Sequence, residues 1–520
     1  MNDMNVKQED FLKRKEELMK MGGDARIEKQ HASGKLTCRE RLSLLFDPGT
    51  FEEIGLFVEH RKMDFGMDKR KVAGDGLVCG YGKVDGRVVF AYAQDFTSMG
   101  GSIGEMTGQK MLRVQRGALR AGVPIVALED GSGGRLQEGV VMELTELFNE
   151  HVKASGVIPQ VTAIMGPCAG GCAYSPALTD FCICVDKTSK MFLTGPKVIK
   201  AVTHEEPDAN FGSGKFHNTV SGVGHALAKD DYDCIRLIRE YLSYFPQNSK
   251  DKPPVYQCDQ DPDALVPELN DIVPESMNKS YDAHSVLELI FDKDSLFEYQ
   301  PLWAKNVITS FARLNGKSVG IIANNPKFMG GVFDIDASDK AARFIMLCDA
   351  FNIPLIYVAD TPGFLPGINQ EKGGVIRHGA KVLYANGKAT VPKIRLTTRK
   401  LYGGATAAMC ERTFETDCTI SWPNAEENVM GAEGAVEVLF ARELKAAKAE
   451  GDEEKYQKIL KEEAAEYNRL FANPYDKAKY FHTEMIIMPE ETRRVLIRML
   501  EFYENKKVLE WDKKHGIFPV

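Results

Sequence analysis

The chain carries one pattern twice. Residues 77–130 return as residues 307–360 at an offset of 230, and farther along the offset becomes 233. Gly86 matches Gly316 within KVDGRVVFAYAQ and RLNGKSVGIIAN, and Met99-Gly100-Gly101 matches Met329-Gly330-Gly331. GVPIVALED from Gly122 matches NIPLIYVAD from Asn352, and the Gly170-Gly171 pair matches Gly403-Gly404. A duplication of this kind predicts two similar domains and two equivalent sites. Within each copy, short apolar strands end in glycine-rich turns and helical patterns follow (MLRVQRGALRA, AARFIMLCDAF), which is an α/β rhythm. The strands are too apolar to alternate, so burial on both faces of a parallel sheet is expected. The Pro- and Asp-rich stretch from Asp251 reads as a linker, giving domains 1–265 and 266–520.

Composition narrows the function classes. With 43% hydrophobic and 27% charged residues the chain reads as soluble and globular. The net charge of -8 disfavours nucleic acid as a partner. No apolar run reaches the ~18 residues of a membrane helix. The charged start MNDMNVKQEDFLKRKEELMK has no signal-peptide core, so a cytoplasmic location is expected. Eleven cysteines form no CxxC pair; they are expected as small buried hydrophobes, with no metal in the chain.

The chemistry sits in the turns. Strand GVPIVALED runs into Gly131-Ser132-Gly133-Gly134-Arg135, and QVTAIMG runs into Pro167-Cys168-Ala169-Gly170-Gly171. The second copy offers Thr361-Pro362-Gly363, Gly373-Gly374 and Gly403-Gly404-Ala405. Amides converging at a helix start stabilise developing negative charge, and glycine lets a substrate approach them. The alternative is that these glycines only make tight turns. No P-loop is present, and Ser175 has no evident base. That scarcity suits enolate formation, in which holding an oxyanion is most of the task. A crotonase-like hydratase would need paired acids on the turns, and a Clp-like serine peptidase a Ser-His-Asp set; neither is found. A non-enzymatic scaffold is the remaining class.

The chain resembles the carboxyltransferase (β) subunits of biotin-dependent acyl-CoA carboxylases and, equally, the α subunits of biotin-dependent acyl-CoA decarboxylases. The matching strings run along nearly its whole length. They include EKQHASGKLTCRERL from Glu28, IMGPCAGGCAYSPALTDF from Ile164, DTPGFLPGINQEKGGVIRHGAKVLYA from Asp360 and SWPNAEENVMGAEGA from Ser421. Within that family the chain looks like the propionyl-CoA carboxylase and methylmalonyl-CoA decarboxylase group. The resemblance implies tandem crotonase-like (ClpP/crotonase) α/β domains in a homo-hexamer. The first domain would take the acyl-CoA and the second the biotin on a separate carrier. By position, Gly170 and Gly171 would polarise the thioester carbonyl, and Gly404 and Ala405 the biotin ureido oxygen. Gly133-Gly134 and Gly373-Gly374 would complete the two holes. Cys168, Ala169, Thr406 and Ala407 would line the substrate pocket. Implied partners are a biotin carboxyl carrier protein with a biotin carboxylase subunit, or membrane subunits of a sodium-pumping decarboxylase.

Some segments depart from the family pattern. After Glu138 the text is shorter and lacks a Gly-Tyr-Gly, and Thr406 and Ala407 stand where relatives carry larger or acidic residues. The charged stretch from Glu443 reads as a surface helical hairpin around Gly451. Lys35, Arg39, Arg41, Arg113, Arg116 and Arg120 form the expected pool of CoA-phosphate cations. His378 reads as a packed histidine. Met19-Lys20-Met21 resembles a biotin-attachment site but lacks the β-rich domain such a site needs.

Overall fold

The computed structural model describes residues 3–139, 142–471, 473–509 and 511–519. It divides into two compact units, residues 1–252 and 253–520. Each is built on one eight-stranded sheet.

In the first unit the strands are β1 (Glu52–Ile54), β2 (Leu77–Val84), β3 (Arg87–Gln94), β4 (Ile125–Gly131), β5 (Gln160–Ala169), β6 (Phe181–Val185), β7 (Lys190–Phe192) and β8 (Ala226–Ala228). Their order is β1-β2-β3-β4-β5-β6-β8, with β7 pairing the far end of β5. The first three strands are antiparallel and the rest parallel. The second unit repeats this with β9 (Phe297–Tyr299), β10 (Val307–Leu314), β11 (Lys317–Asn324), β12 (Leu355–Thr361), β13 (Lys393–Tyr402), β14 (Cys418–Ser421), β15 (Glu426–Asn428) and β16 (Met485–Ile486). The order is β9-β10-β11-β12-β13-β14-β16, with β15 pairing β13. The tandem crotonase-like expectation therefore holds at the level of strand order.

Local rules explain most elements. The β2–β3 turn is Asp85-Gly86 and the β10–β11 turn Asn315-Gly316, all at positive φ, the backbone of a tight hairpin. At Gly316 a side chain would also collide with the Tyr256 carbonyl. β4 and β12 are buried along their whole length, which is why neither alternates. The helix Cys38–Leu45 starts at Thr37, whose side chain forms a capping box with Glu40. The charged stretch after Phe440 forms two helices, Ala441–Glu450 and Glu453–Phe471, hinged at Gly451 with φ 71°. Lys20 directly follows the exposed helix Asp3–Met19. Among the described residues no helix is long and apolar enough to cross a membrane.

Candidate active site

Each unit presents a strand-end turn of the same design. β5 ends at Ala169; Gly170 follows with φ 68° and a short helical turn spans Gly170–Ala173. β13 ends at Tyr402; Gly403 follows with φ 57° and the turn Ala405–Ala408 begins. Both turns are held by an extra short strand, β7 beside β5 and β15 beside β13. The exposure pattern repeats: Gly171 and Gly404 face outward, and Cys172 and Ala405 are buried. The Gly403 amide donates to Asn428 O at 2.8 Å. The next amides, of Gly404 and Ala405, open the helical turn and so have no carbonyl one turn behind them. By the offset, Gly404-Ala405 corresponds to Gly171-Cys172, one residue on from Gly170-Gly171.

The neighbouring loops decide what adjoins each turn. In the first unit the Ile103 amide donates to Gly133 O at 2.9 Å and the Arg135 amide to Ile103 O at 2.7 Å. A side chain on Gly133 would come within 2.9 Å of Ala169 O, so Gly133-Gly134 does adjoin the Gly170 turn. In the second unit Phe333 donates to Gly363 O at 3.0 Å, and Leu365 to Phe333 O at 2.7 Å. Gly363-Phe364 thus holds the place of Gly133-Gly134, and the Phe364 ring comes within 3.5 Å of a Cβ on Gly404. Gly373 and Gly374 stand elsewhere, at the joint between helices Ile368–Gly373 and Val375–Lys388, with Gly373 against Ile335.

Several candidates serve packing. Cys168 is buried in the first unit's core, where burial pushes its thiol well above the usual range. Ala169 is half-buried beside it. The Thr406 hydroxyl donates to Gly403 O at 2.8 Å, so it braces its own turn; Ala407 is half-buried beside it. Ser175 is buried. His378 Nδ1 pairs with Asp339 at 2.8 Å and is the packed histidine expected. Val140 and Val141, in the shortened segment after Glu138, lie outside the described residues. Among the described residues no group of three or more His, Cys, Asp or Glu could hold a metal ion.

The expected phosphate cations are mostly engaged. Lys35 binds Asp130 at 2.8 Å, Arg41 binds Asp130 and Asp231 at 2.9 and 2.7 Å, and Arg39 binds Glu53 at 2.8 Å. Arg116 pairs with Glu146 and Glu150, while Arg113 and Arg120 are exposed on the helix Glu105–Ala121. The exposed cations that converge are others. A cavity of about 1170 Å³ is lined by Arg26, Lys29, Arg70 and Lys71 together with Lys35 of the expected pool, and reaches Gly100 and Pro167 near the first turn. The sequence signal for it was weak, since its basic residues come from two separate segments.

The carboxyl transferase domain matches residues 29–518. The chain belongs to the carboxyl transferase family. It is 48% identical over 515 residues to the methylmalonyl-CoA decarboxylase subunit alpha of Propionigenium modestum, covering 98% of each chain. It is 46% identical over 504 residues to the mitochondrial propionyl-CoA carboxylase beta chain of Homo sapiens, covering 96% of this chain and 91% of that one. Among solved structures, the transcarboxylase 12S hexamer with hydrolysed methylmalonyl-CoA bound matches with a TM-score of 0.95 and 44% identity over 100% of both chains. The chain is therefore an enzyme, a carboxyltransferase of the propionyl-CoA carboxylase and methylmalonyl-CoA decarboxylase group, and the fold is theirs.

Proposed function

We propose that this carboxyltransferase moves a carboxyl group between carrier-bound biotin and the α-carbon of a short acyl-CoA, with propionyl-CoA first among acceptors. The observation that carries the acyl-CoA side is the basic cavity beside the first turn. Arg26, Lys29, Arg70 and Lys71 suit the phosphates of a CoA head, and the cavity's far wall reaches Pro167, three residues before Gly170. The thioester carbonyl would lie on the amides of Gly170 and Gly171, with Gly133-Gly134 beside them. These amides hold the oxygen of the developing enolate, an effect worth ~3 kcal/mol per donor.

The second turn fits a ureido oxygen. Its donors are the uncommitted amides of Gly404 and Ala405, and Phe364 offers a flat apolar wall above them. Biotin supplies the carboxyl group when bound, and the protein's part is to hold the oxygen whose charge rises as that group leaves. On this reading a biotin carrier and a biotin carboxylase are its partners and the setting is cytoplasmic; the hexamer assembly of the transcarboxylase 12S neighbour supports a homo-hexamer. Their decarboxylase members support a second reading, reverse transfer beside membrane subunits.

Purified protein with free biotin and methylmalonyl-CoA tests the reading. We expect biotin-dependent loss of CO2, preferred over malonyl-CoA. Gly404→Val should lower it about a hundredfold or more, the size expected for lost oxyanion donors. A Cβ there meets Phe364 only at ordinary contact distance, so folding should survive. Unchanged turnover by Gly404→Val would remove the second turn from the mechanism.

A further inference from the structure

The two turns are built alike but walled differently. The offset that aligns Gly171 with Gly404 also aligns the starts of helices Met142–Ala154 and Val375–Lys388. Leu144, Phe148 and Tyr174 then stand where Arg377, Lys381 and Ala407 stand. In the first unit, Leu144 Cδ2 lies 3.2 Å from the place of a Cβ on Gly171. The Phe148 and Tyr174 rings meet edge-on at 6.0 Å. Leu144 and Phe148 are half-buried and Tyr174 is exposed, so this apolar surface faces the turn without being sealed in the core. In the second unit the residues at these helix positions are charged, and the turn itself meets the Phe364 ring instead. Lys381 binds Asp339 at 2.8 Å, and Arg377 folds back over Gly374 and donates to the His378 ring.

Leu144 thus lies beside the residue whose amide is read as holding the thioester oxygen. We propose that Leu144, backed by Phe148 and Tyr174, sets the size of the acyl group that the first unit accepts. It admits a thioester with a one-carbon branch at the α-carbon and turns away longer branches. This rests on the reading that the Gly170-Gly171 turn binds the thioester. The physical reason is space: an added methylene under Leu144 must push it against Phe148, and a methylene in an apolar pocket is worth about 10–200-fold in selection.

The test is a competition between methylmalonyl-CoA and ethylmalonyl-CoA with free biotin and the whole protein. Wild type should prefer methylmalonyl-CoA. Leu144→Ala should raise the relative kcat/KM for ethylmalonyl-CoA about tenfold. Leu144→Val should shift the ratio the same way by less, which keeps the test alive if the Ala variant does not fold. Leu144→Met, close to leucine in volume, should keep the wild-type ratio. A ratio that stays constant while overall rates fall would overturn the proposal, as would a Met variant as relaxed as the Ala one. A wild type that decarboxylates neither substrate would instead overturn the reading that the first turn takes these acyl-CoA thioesters.

Discussion

Asp130 and Asp360 end corresponding strands, β4 and β12, and both are buried, yet the two units neutralise them differently. In the second unit the cation comes from the adjacent strand, where Arg399 Nε donates to Asp360 at 3.0 Å. Burial pushes the Asp360 carboxyl up, and Arg399 opposes that push. In the first unit the matching residue is Gly166, and a side chain there would collide with the Asp130 carboxylate. Two cations arrive instead from the segment before β1: Lys35 at 2.8 Å and Arg41 at 2.9 Å. Arg41 also holds Asp231, which ties the helix Asp231–Ser243 to the same point. A buried carboxylate left without its partner is strongly destabilising. The aspartate therefore demands a cation, but the demand does not say where in the chain that cation must lie.

The contrast can be broken most forcefully at Arg41. Arg41→Met would leave Asp130 with Lys35 and the Gln30 amide, and leave Asp231 with the Leu36 amide but without its cation. A loss of about 3–5 kcal/mol is expected. Urea unfolding followed by hydrogen exchange should show β4 and β5 losing protection while β12 and β13 keep theirs. Equal loss in both sheets would mean that the two networks do not act locally. Arg399→Met is the mirror experiment. We expect about 3 kcal/mol, the lower end of that range, because the Lys400 amide still binds Asp360 at 3.3 Å. Its effect should appear in β12 and β13.

A second difference sharpens the comparison through pH. Glu129, next to Asp130, has Ala359 as its counterpart. It is buried with Tyr92 Oη donating to it at 3.0 Å, and burial pushes its carboxyl up to about 7 from 4.5. Below pH 4.5 the group is protonated whether folded or not. Between pH 4.5 and 7 the unfolded chain ionises it and the folded chain does not, so stability falls as pH rises; above 7 the loss is complete. The total is about 3 kcal/mol. Glu129→Gln should flatten that decline in urea midpoints measured across the window, and an unchanged slope would remove Glu129 as its source. The smallest effect is expected at the hairpin joint. Gly451→Ala places a side chain at φ 71° in open space, so only backbone strain opposes it. A loss of about 1 kcal/mol, seen as faster exchange in Ala441–Glu450 and Glu453–Phe471, is expected.

Much of the fold was legible residue by residue. Thr37 is a residue type that caps a helix start, and the Asp85-Gly86 and Asn315-Gly316 pairs suit tight hairpins. GVPIVALED and NIPLIYVAD announced buried parallel strands. The candidate site was legible in part. Gly170-Gly171 and Gly403-Gly404 sit on matching turns, but the loop beside the second turn is Gly363-Phe364 rather than Gly373-Gly374. A Gly-Gly pair looks the same in sequence whether it lines a turn or joins two helices. Lys35 and Arg41 were expected to face a ligand; both satisfy a buried aspartate, and Lys35 also lines the cavity.

By itself the sequence determined the duplication, the strand-to-turn device in each copy and the amides those turns expose. These follow from backbone preference and from the period of apolar residues, both readable within a few positions. Only the tertiary structure decided which cation meets which aspartate, which cations remain to line a cavity, and that Leu144 rather than a charged residue walls the first turn. Lys35 and Asp130 lie 95 positions apart, and no local pattern names a partner at that distance. Such pairings are settled by strand order and by where burial leaves a charge in need of its opposite.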